Sequence, residues 1–420
     1  MRRRGRRGVV WLGVAVTACS VLAGCAGGGS GGSTDQDAAL TGDPVKIGVL
    51  VARSGFNSEL SGPVGDAAQG WANWVNDNGG LGGRPVEVIA EDTGGTPATG
   101  QALAKDFVEK QQVVAVMLAD PSVESGVADY LQQNNVPVIE SLGFDVNSWG
   151  VRPNFFTTAT SDVYMQASYA ISAADTGSPS IAVAACAEAP TCAQVSGTIE
   201  TVSPTVGLTY DGAVRVAASQ PSFTAECLSF LERRTQFIAM ALSFAGTGTR
   251  MVTDCLQQGY GGHFGVSSGS VVRSLLDEVP GAKYSGALNG FPWWVDAAPV
   301  QTYRDAMAEY APDVEASSAW ITSAWAGLEM FRKAVSGTAA GGLTREQVFD
   351  GYHAVQGETL DGLLPQPMTY TAGQPAPAIE CFWLYSFTQG DAELKIRQEG
   401  RNGNGATGPL ASTCFEGALP

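Results

Sequence analysis

Two short patterns in the chain have residue types that could do chemistry. Residues 265–269, Gly-Val-Ser-Ser-Gly, match the G-x-S-x-G turn that presents the nucleophilic serine of α/β hydrolases, here Ser267, and His353 follows downstream. That turn needs a strong strand before it, whereas residues 257–264 are mostly glycine and polar. The other pattern, Glu91-Asp92, ends a predicted strand, where a solvated turn explains paired carboxylates better than acid–base catalysis does. A serine hydrolase is therefore a less favoured alternative.

The motifs indicate neither a metal site nor a cofactor. The two histidines, His263 and His353, have no ligand spacing to each other or to a cysteine, and no C-x-x-C pair occurs. The chain has no Walker motif, and Gly246-Thr247-Gly248 lacks the third glycine of a dinucleotide-binding loop. We therefore expect a protein that is not an enzyme.

The N-terminus has the features of an export signal. Five arginines precede an apolar stretch, Val9–Val21, that is too short to span a bilayer. The next four residues, Leu22-Ala23-Gly24-Cys25, resemble the bacterial lipobox. We therefore predict a signal peptide over 1–24, lipidation of Cys25, and a flexible Gly/Ser-rich tether over 25–43. The mature protein is then expected to be extracytoplasmic and held at the cell membrane by its lipid.

The charge of the chain restricts its partners. The formal net charge is −17, and removal of the five leader arginines makes it −22. An acidic surface repels nucleic acid and anionic lipid headgroups, so no nucleic-acid partner is expected. A second apolar stretch of about 18 residues, which a membrane span would need, does not occur.

Six cysteines remain after the leader and Cys25, and an even number in an exported chain favours three disulfides. Six cysteines allow 15 pairings in principle. Proximity in the sequence favours Cys186–Cys192, Cys227–Cys255 and Cys381–Cys414.

The elements that would position these residues alternate between strand and helix. Short β-branched strands and amphipathic helices follow one another from residue 44, and the same rhythm restarts after residue 163. Residues 54–63 are predicted as a loop, and the helix over 64–80 is predicted to end at Gly79 in the left-handed region. The fold class is therefore α/β, with two doubly wound parallel-sheet lobes and a ligand cleft between them.

The first half of the chain resembles a known family. "VKIGVLVARSG", "AAQGWANWVNDNGGLGGRPVEVIAED", "VVAVMLADPS" and "VPVIES" are similar to the type I periplasmic solute-binding proteins, within the leucine/isoleucine/valine-binding group of ABC importers. The most specific stretch is NDNGGLGGR, residues 76–84. The resemblance extends over about 44–390. It implies lobe 1 at 44–162 plus 296–362 and lobe 2 at 163–295 plus 363–420.

The resemblance also implies candidate ligand contacts. Ser122 follows the third strand, where helix amides could hold a carboxylate, although serine is also a common helix cap. A turn after the fourth strand and the first loop supply further lobe 1 candidates: Leu142, Gly143, Phe144, Phe56 and Asn57. Lobe 2 supplies Phe244 and Ser267.

Two of these positions depart from the family pattern. Phe144 stands where the family has a threonine, and Ser267 stands where amino-acid binders have an acid that pairs with the ligand ammonium. A buried ammonium without a carboxylate is costly, so the leucine specificity of the group does not transfer directly.

The resemblance implies a monomeric binding lipoprotein that delivers a small organic solute to an ABC permease and its ATPase. The solute is expected to be amino-acid-like, an amide or a carboxylate. The second candidate function is that of a sensor with the same fold, which reports its ligand to a membrane receptor. An extracytoplasmic serine hydrolase is the third.

Overall fold

The computed structural model describes residues 40–55, 57–187, 190–242, 244–337, 339–397, 403–406 and 408–415. The predicted signal peptide, lipidation site and most of the tether lie outside these residues, as does Phe56. In the described part of the chain, thirteen strands form two separate sheets, and helices cover both. This is the two-lobed α/β fold that the alternation of strands and helices predicts.

Lobe 1 is built on a five-stranded parallel sheet with the order β2-β1-β3-β4-β5. Its central strands are buried along almost their whole length, since helices cover both faces, which is why they are continuously apolar. The strands are β1 (Val45–Val51), β2 (Val86–Asp92), β3 (Ala115–Leu118), β4 (Val138–Glu140) and β5 (Phe155–Thr157). The helices between them are α1 (Ser58–Asp77), α2 (Pro97–Asp106), α3 (Glu124–Gln133) and α4 (Val146–Trp149).

Lobe 2 is built on an eight-stranded mixed sheet. Strands β7-β6-β8-β9-β10 are parallel, and β11, β12 and β13 add antiparallel pairs at one side. The strands are β6 (Ser180–Cys186), β7 (Thr209–Val216), β8 (Phe237–Ala241), β9 (His263–Gly265), β10 (Lys283–Leu288), β11 (Cys381–Thr388), β12 (Lys395–Ile396) and β13 (Thr413–Cys414). Its helices are α5 (Asp162–Asp175), α6 (Pro190–Val202), α7 (Thr224–Arg233), α8 (Thr249–Gln257) and α9 (Arg273–Asp277).

In the part that the structure describes, the chain passes between the lobes three times. The first passage joins β5 to α5. The second leads from β10 to α10 (Ala298–Tyr310), which packs on α1 together with α11 (Ala319–Val335). The third leads from α12 (Arg345–His353) to β11. The first and third passages are hydrogen-bonded side by side, because Ser161 N–H donates to Ile379 O and Ile379 N–H donates to Ser161 Oγ.

Helix α1 begins earlier than the sequence indicates. Residues 58–63, predicted as loop, form its first turns despite Pro63. Buried Ser61 accepts a hydrogen bond from Ala52 N–H and donates one to Ala119 O, which joins this turn to the ends of two strands. Tertiary hydrogen bonds thus override a local breaker signal. At the other end, Gly79 has φ +92°, as predicted.

The family-like stretch 76–84 has a structural explanation. The Asn76 side chain donates to Val86 O and accepts from Val86 N–H, so it pairs with the start of β2 like a short piece of strand. The turn therefore fixes how α1 connects to β2.

All three expected disulfides are present, Cys186–Cys192, Cys227–Cys255 and Cys381–Cys414, and all lie in lobe 2. Among the described residues, no helix combines the length and the apolar character that crossing a bilayer would require.

Candidate functional site

A cavity of about 150 Å³ lies between the two lobes. Lobe 1 contributes Phe144, in the turn after β4, and Trp320, in the first turn of α11. Helix α5 contributes Asp162, Met165, Gln166 and Tyr169, and α6 contributes Val195. The end of β8 and the loop after β9 complete the wall with 240–242 and 267–270. A larger depression of about 210 Å³, beside α8 and residues 278–279, lies within lobe 2 alone. Only the smaller cavity joins both lobes and contains residues that the sequence nominated.

The turn that carries Phe144 is held by a buried carboxyl group. Glu140 Oε1 accepts hydrogen bonds from Leu142 N–H at 2.8 Å and from Gly143 N–H at 2.9 Å. Gly143 has φ +69°, and a Cβ there would lie 2.8 Å from Thr160 O, so no other residue fits without strain. The turn's amide donors are thus occupied from within the protein.

Glu140 belongs to a buried group of carboxylates. Burial raises its pKa to about 7, against the hydrogen bonds from Gly143 and Leu142 that lower it. Burial, together with the charges of Glu140 and Asp145, also raises the pKa of Glu124. Oε2 of Glu140 and Oε1 of Glu124 have no hydrogen-bond partner among the described residues.

Helix α5 places its first residue in the cavity. Asp162 N–H donates to Gly143 O at 3.0 Å, which ties the start of α5 to the turn of lobe 1. Asp162 Oδ2 accepts from Gln166 Nε2 at 2.7 Å, and Thr198 Oγ1 orients that amide by donating to Gln166 Oε1 at 2.8 Å. Burial raises the pKa of Asp162 to about 6. Among the described residues, Oδ1 accepts no hydrogen bond.

Ser267 and Ser268 form the floor of the cavity on the lobe 2 side. Ser267 Oγ accepts from Ala287 N–H at 3.0 Å, so this buried hydroxyl holds the loop after β9 against β10. Ser268 has φ +61°, a left-handed conformation that is strained for serine, and strain of this kind collects at functional sites. Ser268 Oγ has no partner within the described chain.

Three aromatic side chains, Phe144, Tyr169 and Trp320, line the cavity. The rings of Phe144 and Trp320 are 5.9 Å apart between centroids. Tyr169 donates from its hydroxyl to Met240 O at 3.3 Å, and burial, with the Asp162 charge as a smaller cause, raises its pKa. The cavity therefore combines apolar rings with one carboxyl and several hydroxyl groups.

The other residues that the sequence nominated lie elsewhere or are not described. Asn57 Nδ2 donates to Ser122 Oγ at 3.3 Å, and Ser122 N–H donates to Asp120 Oδ1 at 3.0 Å. This cluster joins the loops after β1 and β3, and its residues are not among those lining the cavity. Helix α3 begins at Glu124, with Val123 at its N-cap, so Ser122 is not the cap either. The side chains of Phe56 and Phe244 lie outside the described part.

The hydrolase alternative is wrong. The strand before Ser267 has only three residues, and a 3-10 turn, Ser268–Ser270, follows it instead of a long helix. Ser267 Oγ is engaged with a backbone amide. His353 lies on α12 in lobe 1, with its ring about 6.1 Å from Phe156. No nucleophile and base are brought together here.

Sequence reasoning missed the contribution of α5. Residues 162–175 received no helix prediction, although Ser161 precedes Asp162 and Gly177 follows as a stop. Buried apolar residues Met165, Tyr169 and Ala173 recur at helical spacing. Strand β10 and the role of Trp320 were missed as well.

The sequence profile described as "Periplasmic binding protein" matches residues 44–392. The chain belongs to the periplasmic binding protein family. The family and the solved structures that resemble the chain are binding proteins and not enzymes. No curated protein sequence matches the chain significantly.

Three solved structures illustrate the likeness of fold. A substrate-binding periplasmic protein from Ralstonia solanacearum has a TM-score of 0.69 at 16% identity, covering 84% of this chain and 100% of the other. An R. palustris ABC-transporter solute-binding protein in complex with benzoate has a TM-score of 0.67 at 12% identity, covering 84% and 95%. A leucine-binding protein from Thermotoga maritima has a TM-score of 0.65 at 14% identity, covering 84% and 97%. At these identities the structural similarity establishes the fold, that of the type I periplasmic binding proteins. The family itself is one of periplasmic proteins.

Proposed function

We propose that this periplasmic binding protein is the lipid-anchored solute receptor of an ABC importer. It captures a small organic solute between its lobes and passes it to a membrane permease driven by an ATPase. Lobe 1 comprises 44–162 plus 296–362, and lobe 2 comprises 163–295 plus 363–420. The protein acts as a monomer. The observation that carries the proposal is the interlobe cavity, which both Phe144 and Ser267 line.

The three passages between the lobes support a closing motion. Hinge closure requires few connecting segments, and within the described residues the sheets are joined by the passages β5–α5, β10–α10 and α12–β11 alone. A ligand that contacts both walls stabilises the closed form by its differential affinity for that form. Phe144 and Trp320 on one side, and Ser267 and α5 on the other, are placed to make such contacts.

Several solved structures of this fold are titled as ABC-transporter solute-binding proteins, which supports the importer over the sensor. The lipobox at Leu22–Cys25 supports the anchor, because a tethered receptor stays close to its permease.

Thermal unfolding of the mature chain tests solute capture. We would screen amino acids, amides, amines, aromatic acids and other small carboxylates. A solute at 100 times its Kd adds about 2.7 kcal/mol to the free energy of unfolding. A shift of several degrees with at least one class is expected, and Trp320→Ala should abolish it. No shift with any class would contradict the proposal.

Export and anchoring are tested separately with Cys25→Ala. The parent chain should incorporate a fatty-acid label and stay with the membrane fraction after a high-salt wash. The Cys25→Ala variant should incorporate no label and leave that fraction. Membrane retention of the unlabelled variant would contradict the anchor without touching the binding proposal.

A further inference from the structure

Among the described residues, the interlobe cavity is lined by negative charge and not by positive charge. Its lining contains the carboxyl group of Asp162, and within the described chain it contains no lysine, arginine or histidine. The only other titratable side chain in the lining is the phenol of Tyr169. A ligand carboxylate would therefore meet a like charge and no cation.

The lobe 1 amide donors that could replace a cation are already bonded. In lobe 1, Glu140 takes the N–H groups of Leu142 and Gly143, and Asp120 takes that of Ser122. These are the positions at which the family resemblance leads one to expect a ligand carboxylate. Two carboxylates of the protein itself thus occupy them.

The helix N-termini at the cavity are also largely satisfied. In α5 the N–H groups of Tyr164 and Met165 bond to Ser161 O, and that of Asp162 bonds to Gly143 O. In α11 the N–H of Ala319 bonds to Val271 O, and that of Thr322 bonds to Ser318 O. Asp162 itself already provides a negative group at the start of α5.

We propose that the cavity takes a small primary amine without a carboxylate, bound as its ammonium by Asp162. This inference rests on the proposed solute-binding function and narrows its ligand class. Asp162 Oδ1 is the acceptor, since Gln166 already occupies Oδ2. The rings of Phe144, Trp320 and Tyr169 cover the apolar body of the ligand and favour its positive charge.

The state of Asp162 and the size of the cavity agree with this ligand. Burial without a cationic partner raises the pKa of Asp162 to about 6, and an ammonium would restore the missing partner. Alkyl ammonium groups such as that of lysine stay charged well above pH 7. The volume is about 150 Å³, and an apolar cavity of about that size holds a benzene ring.

The test uses the complete mature chain and ligands matched in size. Tryptophan fluorescence and thermal unfolding would be followed at pH 7.5 with ethylamine, isobutylamine, isoamylamine and benzylamine. Benzyl alcohol, benzoate and isovalerate serve as neutral and anionic counterparts, and leucine is isoamylamine with a carboxylate added. At least one amine should bind, tenfold or more tightly than its counterparts.

Asp162→Asn is the matched variant, because it keeps the shape of the side chain and removes its charge. It should weaken amine binding at least tenfold while the unliganded protein unfolds at the same or a higher temperature, since a partly buried charge is gone. Asp313→Asn, at an exposed site outside the cavity, should leave amine binding within twofold. A loss in Asp162→Asn combined with normal unfolding excludes misfolding as the explanation.

The outcomes separate this inference from the proposed function. Binding of benzoate, isovalerate or leucine in preference to every amine would overturn the amine assignment and leave solute capture intact. Amine binding that survives Asp162→Asn, or binding of neutral ligands only, would overturn it in the same way. If no compound of the wider panel binds, the proposed function itself fails.

Discussion

Both lobes face the cleft, but the hydrogen bonding of their polar groups differs. In lobe 1, the loops after β1, β3 and β4 pair their polar groups among themselves: Asn57 with Ser122, Ser122 with Asp120, and Glu140 with the 142–143 amides. On the opposite side of the cavity, Asp162 at the start of α5 pairs its Oδ2 with Gln166, and Ser268 Oγ has no partner in the described chain. Lobe 1 thus supplies the rings of Phe144 and Trp320, beside a turn whose amides are already paired. Helix α5 and the loop after β9 supply a carboxyl group and hydroxyl groups.

The two lobes also differ in their covalent reinforcement. All three disulfides lie in lobe 2, and the segments of lobe 1 contain no cysteine. Lobe 1 relies on noncovalent contacts, for instance those of buried Trp71, whose indole N–H donates to Glu329 Oε1 at 2.7 Å. This contrast leads to the largest expected effect.

Reduction of the disulfides should destabilise lobe 2 selectively. Cys227–Cys255 and Cys381–Cys414 are separated by 28 and 33 residues, and loops of that length correspond to about 3–4 kcal/mol each. Hydrogen exchange in a reductant should therefore rise over β6–β8 and β11 before it rises in lobe 1. Strands β1 and β3 serve as the internal control. Equal loss of protection in both lobes would show that the lobes unfold as one unit.

Glu140→Ala tests the internal pairing of lobe 1. The variant leaves the buried N–H groups of Leu142 and Gly143 without an acceptor, which should cost about 2 kcal/mol of unfolding free energy. Acetate should restore part of this loss, because it can occupy the vacated position. Glu87→Ala, at an exposed position of β2, is the control and should change stability by less than 0.5 kcal/mol, roughly the limit for surface sites.

If Glu140→Ala is as stable as the parent protein and acetate has no effect on it, the Glu140 carboxylate does not hold the 142–143 turn. The 142–143 amides would then be available to a ligand, and the comparison of the two walls would reverse.

The pH dependence of stability has a defined sign. Burial raises the folded-state pKa of Asp162 to about 6 and that of Glu140 to about 7, above their unfolded values near 4. Between those values the folded state binds more protons than the unfolded state, so its stability falls as pH rises. The unliganded protein should lose roughly 4 kcal/mol between pH 5 and pH 7.5 from these two groups together.

Amine binding should show the opposite trend. It requires ionised Asp162, so affinity should fall about tenfold per unit once pH drops below the pKa of that group. The charged and titratable groups near it are Tyr169 in the cavity wall and Glu140 behind the 142–143 turn. Titrations of unfolding, with and without benzylamine, should therefore converge toward pH 5. In Asp162→Asn the unliganded slope should be shallower.

Asn57→Ala should have the smallest effect. It removes one partly buried hydrogen bond to Ser122, worth about 0.5–1 kcal/mol, and should leave the ligand Kd within twofold. A tenfold loss of affinity would place Asn57 and Ser122 in the ligand site, as the family resemblance implies. It would also show that lobe 1 takes part in polar recognition.

Much of the fold could be predicted because the hydrophobic periodicity of each segment indicates whether it forms a strand or a helix. Strands β1, β3 and β6 are apolar runs bounded by turn residues, and α7, α10 and α11 are regular amphipathic helices. The first turns of α1 could not be predicted, because Pro63 and Gly62 argue against a helix, whereas hydrogen bonds of Ser61 to the ends of distant strands help to stabilise it.

The site was predictable only in part, for a related reason. Phe144 and Ser267 were nominated from motif position and both line the cavity, whereas Asp162, Gln166 and Trp320 were not nominated. Asp162 is an ordinary helix-start residue in the sequence. Its raised pKa and its position in the cavity arise because segments that are distant in the sequence pack around it.

The sequence by itself determined the two-lobed α/β class, the disulfide pairing and the family, because each depends on local pattern or short spacing. Tertiary structure alone decided which polar groups remain available at the cleft. Whether a carboxylate such as Glu140 is paired internally, or one such as Asp162 keeps an oxygen free, depends on the three-dimensional position of its neighbours. Desolvation and hydrogen bonding depend on atoms within a few ångströms. Separation along the chain does not predict which atoms come that close.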